Sequence, residues 1–189
     1  MLTIFALISA ATAAVPAPLS VDSQEQARLD KGDVVVRPPP TALDQAVGVV
    51  DIQGTAQAVW DAVFDFDARV REMRPLKSVT VYADDPSNMG VTFDLSIFGT
   101  PIVFHTRYQC EFDAGYCSYT LDPSRDHDLV SVVGSYQVYE VGHHQRLVYR
   151  SQTDSGRSVP GFVRRWLAVD SLTKQLEGIR ERAQGVSGE

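Results

Sequence analysis

Apolar and polar positions alternate through most of residues 76–154, in runs separated by short polar turns. "VTFDLSIF" sets Phe93, Leu95 and Ile97 against Thr92, Asp94 and Ser96, the period of a half-buried strand. "LKSVTVYA", "PIVFHTRYQCEF", "YCSYTLD", "LVSVVGSYQVYEV" and "RLVYRSQTD" read the same way. "DDPSNMG", "DAG", "PSRDHD" and "GHHQ" are the turns and loops between them. Connections this short imply an antiparallel meander. Upstream, Val49, Val50 and Ile52 form an earlier strand that stops at Gly54-Thr55. Val59, Val63 and Phe66 then recur at helical spacing with Trp60 beside them, behind Thr55 as cap. Asp67 is the expected cap of a second short helix, which carries Val70 and Met73 and ends before Pro75. Downstream, Val163, Trp166, Leu167, Leu172, Leu176 and Ile179 form one stripe on a helix of about five turns.

The N-terminal third is different. Residues 1–17 hold an apolar run from Leu2 to about Ile8, followed by small residues, and read as a secretory signal that lacks a basic n-region. The run is too short to span a bilayer. Residues 18–46 are a polar arm, with "SQEQARLDKG" a short helix and "DVVVRPPP" an edge strand stopped by prolines. Residues 47–185 make one α+β domain. A net charge of −7 and a pI near 5.0 disfavour nucleic acid as a partner. Cys110 and Cys117 flank the "DAG" turn. In an oxidising compartment they can bond if the register brings them together, and in a reducing cytosol they stay as two small apolar side chains. The signal-like segment favours the periplasm or secretion over the cytoplasm.

Catalytic motifs are scarce. His143-His144 sit in a hairpin turn, and His105 lies on a strand facing away from Phe104. His127 has Arg125, Asp126 and Asp128 around it, which makes either an acid–base group or a loop charge network. Asp65 and Asp67 read as helix caps, and the chain has neither G-x-S-x-G nor a Gly-rich phosphate loop. No metal site and no cofactor are expected.

The order of elements carries a resemblance. "VVDIQGTAQAVWDAVFDFD" (49–67), "RPLKSVTV" (74–81), "FGTPIVFHTRY" (98–108), "LDPSRDHDLVSVVGSYQV" (121–138), "LVYRSQTDSG" (147–156) and "VPGFVRRWL" (159–167) resemble the SRPBCC superfamily. Its members include START-type lipid-transfer domains and polyketide cyclases, and the similarity is to the bacterial branch of coenzyme Q-binding or cyclase-like proteins. The resemblance implies a helix-grip fold, in which a strongly curved antiparallel sheet wraps a long C-terminal helix and leaves a cavity between them. By alternation, the lining candidates are Phe93, Leu95, Ile97, Phe104, Tyr108, Tyr119, Val132, Tyr136, Tyr149, Val163, Trp166 and Leu167, each equally readable as plain core. Arg107, Arg125, His127 and Arg150 are candidate polar anchors, although Arg107 and Arg150 also fit outward-facing strand charges. The implied function is binding or transport of a lipid, isoprenoid quinone or polyketide-like molecule, with transient membrane contact. The alternative is a cyclase or aromatase working in the same cavity. Oligomeric state is not readable from the sequence.

Overall fold

The computed structural model describes residues 15–39, 45–85, 87–97, 99–156 and 161–185, with the side chains of 161–168 outside that description. The elements run α1 (Ser23–Leu29), β1 (Val35–Arg37), β2 (Ala46–Ile52), α2 (Ala56–Phe64), α3 (Phe66–Glu72), β3 (Leu76–Ala83), β4 (Met89–Ile97), β5 (Thr100–Glu111), β6 (Tyr116–Leu121), β7 (Ser131–Val141), β8 (His144–Asp154) and α4 (Gly161–Ala183). The strands form one antiparallel eight-stranded sheet in the order β1-β2-β8-β7-β6-β5-β4-β3. It is curved, with α2, α3 and α4 on its concave side. This is the α+β helix-grip architecture.

Local chemistry sets the helix starts. Thr55 Oγ1 accepts the Ala58 amide at 3.2 Å and opens α2. Asp65, and not Asp67 as the sequence pattern implied, caps α3 by accepting the Ala68 amide at 2.9 Å. Asp65 also ends α2, so a single residue turns the chain between two helices. In α4, Leu172, Leu176 and Ile179 are buried, as their stripe predicts. Each apolar side chain buried this completely contributes about 1.5–3 kcal/mol.

The arm before β2 packs on the convex side. Asp22 and Glu25 form a reciprocal capping box at the start of α1. Leu29 and Val35 then cover Val49 and Val148, with Leu19, Val21, Val47 and Tyr139 around them. A buried ion pair lies beside this layer: Arg146 Nε and Nη2 reach the Asp51 carboxylate at 2.6 and 2.7 Å, and Gln26 of α1 accepts from Arg146 at 2.9 Å. β5 and β6 are joined by a 3₁₀ turn (Phe112–Ala114). Their register sets Cys110 directly opposite Cys117, and the two are disulfide-bonded.

Candidate functional site on the concave face

The concave face is built by period two. Phe93 pairs with Phe104, Leu95 with Ile102, and Ile97 with Thr100 across β4 and β5. Tyr108 pairs with Tyr119 across β5 and β6, and Tyr136 pairs with Tyr149 across β7 and β8. With Val132, these residues share the side that meets the helices, where most of them belong to the main apolar cluster. The tyrosines gather at its centre. The Tyr136 and Tyr149 rings stack with centroids 4.5 Å apart, and Tyr119 lies 5.1 Å from Tyr108. Tyr119 and Tyr149 share a 2.9 Å hydroxyl hydrogen bond. Gly134 makes this geometry available, because a Cβ there would stand 2.2 Å from the Tyr119 hydroxyl. Val163, Trp166 and Leu167 lie on α4 with side chains outside the described residues.

A cation sits among these rings. Arg69 of α3 is 6% exposed, and its Nη2 donates to Tyr136 Oη at 3.0 Å. The Val63 carbonyl is a weaker acceptor at 3.5 Å. The Arg69 Nε–H is buried and has no acceptor among the described residues. From α4, Gln175 Nε2 donates to the same Tyr136 oxygen at 2.9 Å. Tyr136 therefore accepts twice, and among the described residues no acceptor takes its own hydroxyl proton. No carboxylate pairs with Arg69 among the described residues; Glu72, one helical turn on, is held by Arg182 instead. The tyrosines supply no negative charge either. Burial pushes the Tyr108 phenol up to about 12 against the pull of Arg69, and it raises Tyr119 and Tyr136 well above the usual phenol value. Guanidinium keeps its charge at any physiological pH. The result is a buried, charged donor cluster with no anion of its own among the described residues, an arrangement that costs several kcal/mol.

Apolar surface leads away from that cluster. The Arg69 guanidinium carbon lies 5.7 Å from the Phe66 ring centre. Phe66 meets Phe93 edge-on at 6.1 Å, and Phe93 stacks on Phe104 at 5.1 Å. Phe66, Val70, Met73, Leu95, Ile102 and Phe104 are only half-buried, whereas Val50, Ile52 and Leu147 elsewhere on the concave side are fully buried. The difference follows from where α4 approaches closest. At Gly48 of β2 a Cβ would come within 2.4 Å of Leu176 and 2.9 Å of Leu172.

The polar anchors expected from sequence are not at this site. Arg107 alternates with Tyr108 and Arg150 with Tyr149, so both point to the convex side. Arg107 Nε donates to Asp122 at 2.8 Å, and Arg150 Nη1 donates to Gln137 at 3.3 Å. Arg125 stacks on the convex-side ring of Tyr82, 3.8 Å from its centre. His127 is exposed in the β6–β7 connection. His105 also faces outward, between Thr92 Oγ1 at 2.8 Å and the Asp126 carbonyl at 3.0 Å. On this side the Ser124 and Tyr82 hydroxyls, with Arg107 behind them, hold the Asp122 carboxyl well below the usual range. The polar residues of the concave site, Arg69 and Gln175, escaped the sequence reading. Their signal was positional: Arg69 falls three residues after Phe66 and four before Met73, inside an apolar stripe, and Gln175 stands likewise between Leu172 and Ile179.

No family model matches the sequence, and no curated protein matches it. Solved structures do. A START superfamily protein from Mycobacterium smegmatis superposes with a TM-score of 0.60 at 18% identity, covering 76% of this chain and 99% of its own. A STAR-related lipid transfer protein from Xanthomonas axonopodis gives 0.61 at 16% identity, covering 79% and 92%. The Zhui aromatase/cyclase from Streptomyces sp. R1128 gives 0.57 at 14% identity, covering 74% and 92%. Strand order, concave helices and these superpositions together establish that the chain has the helix-grip fold of START-type proteins.

Proposed function

We propose that the protein binds and carries an apolar small molecule between the concave face of its sheet and the helices α2, α3 and α4. One observation carries this reading: half-buried apolar side chains from α3, β4 and β5 lead without interruption to a fully enclosed polar cluster. Pockets that take small molecules combine such walls with a few placed polar groups. The lipid-transfer and START neighbours lend support through their shared fold. An isoprenoid quinone, a lipid or a polyketide-like molecule fits the description, collected or delivered by transient contact with a membrane. The Cys110–Cys117 disulfide is in keeping with a periplasmic or secreted setting. A cyclase would need a base beside the donors, and His127, the acid–base candidate, lies exposed outside the concave face. Native mass spectrometry of protein purified from its host tests the proposal. A co-purifying apolar molecule of defined mass is the expected result. Bare protein that also fails to bind the neutral probe N-phenyl-1-naphthylamine would overturn it.

A further inference from the structure

We propose that the molecule held on the concave face is an acidic amphiphile, with its carboxylate docked on Arg69 and Tyr136 and its chain lying along Phe66, Phe93 and Phe104. The proposal deepens the carrier reading and rests on it. Arg69 and Tyr136 are joined at 3.0 Å, so the vacant Arg69 Nε–H and the spare Tyr136 hydroxyl proton are neighbours. Among the described residues these two donors are unused and the positive charge is uncompensated, which asks for an acceptor that is itself negative. A carboxylate has two oxygens that accept from a guanidinium edge and a phenol together, and such charge-assisted bonds are about twice as strong as neutral ones. A quinone or alcohol head would satisfy a donor and leave the charge unpaired in a water-poor site. Gln175 contributes from α4 by donating to Tyr136 at 2.9 Å, so that its hydroxyl oxygen is held by two protein donors. The ring series Phe66–Phe93–Phe104 begins 5.7 Å from the guanidinium carbon and ends at a half-buried side chain, the direction an alkyl or isoprenoid tail would follow.

The test compares probes that share a chain and differ in the head. Palmitate, hexadecanol and methyl palmitate are each titrated into lipid-stripped full-length protein at pH 8, below their aggregation limits, against bound N-phenyl-1-naphthylamine. Wild-type protein should prefer palmitate by about tenfold or more. Arg69→Met should bring the three probes to within about twofold while still binding hexadecanol and the neutral reporter, and Arg69→Lys should keep a reduced preference. Equal binding of all three probes by the wild type overturns the acidic head and leaves the carrier reading standing. Failure of the wild type to bind any probe or the reporter overturns both. If Arg69→Met does not fold, the wild-type preference and Arg69→Lys decide alone.

Discussion

Replacing Arg69 by methionine separates what the cation does for the fold from what it does for a ligand. Methionine fills similar space and removes a buried charge that no carboxylate among the described residues balances. Removing a buried charge that lacks a partner also removes its desolvation cost, which reaches several kcal/mol. Ligand-free Arg69→Met should therefore melt at or above the wild-type temperature by differential scanning calorimetry. A fall of several degrees would mark Arg69 as a structural strut. Asp122 has the opposite character. Its hydrogen bonds to Ser124, Tyr82 and Arg107 depress its pKa in the folded state, so its contribution is present above the ordinary carboxylate pKa and is lost as pH falls through the depressed value. Asp122→Asn should be less stable than wild type at pH 7, and urea midpoints should converge as pH drops below about 4. A gap that persists unchanged to low pH would assign the loss to packing.

Among the elements, the β5–β6 hairpin is closed by a disulfide of sequence separation 7. A loop that short gives about 2.5 kcal/mol in the chain-entropy account, and the ladder already holds the strands together. Cys110→Ser with Cys117→Ser should therefore lower unfolding free energy by no more than that, with the far-ultraviolet spectrum preserved. A larger loss would mean that the bond does more than staple a turn. The strands were readable because a sheet with one face covered by helices and the other wetter must alternate, as Phe93, Leu95 and Ile97 do. The same rule sent Arg107 and Arg150 outward, once the positions of Tyr108 and Tyr149 fixed which phase was inner. Arg69 was harder, because a charged residue on a helix is assigned to solvent by default. Only its place within the Phe66, Val70, Met73 stripe argued otherwise. Which acids would be taken by other partners, as Glu72 is by Arg182, depends on tertiary contacts that no local pattern encodes.

At the scale of the whole molecule, the sheet divides labour between its sides. The convex side is sealed over β2 and β8 by the N-terminal arm, beside the buried Arg146–Asp51 pair, while the concave side holds the donors and the half-buried apolar track. The seal depends on β2 joining β8, and that junction also sets the order in which the chain can assemble. Asp51 and Arg146 are 95 residues apart, whereas β7 and β8 are joined through the short Gly142-His143 turn. Loop-closure entropy makes the hairpins early events and the β2–β8 ladder a late one. During synthesis at about 5–20 residues per second, β2 emerges several seconds before β8 exists to pair with its other edge. Stopped-flow kinetics can read this order. Asp51→Ala should accelerate unfolding and leave refolding nearly unchanged, while Val138→Ala in the β7–β8 hairpin should slow refolding. Refolding slowed as steeply by Asp51→Ala would place β2 closure before the transition state, and the newly made β2 would then have to find its partner before the rest of the sheet could condense.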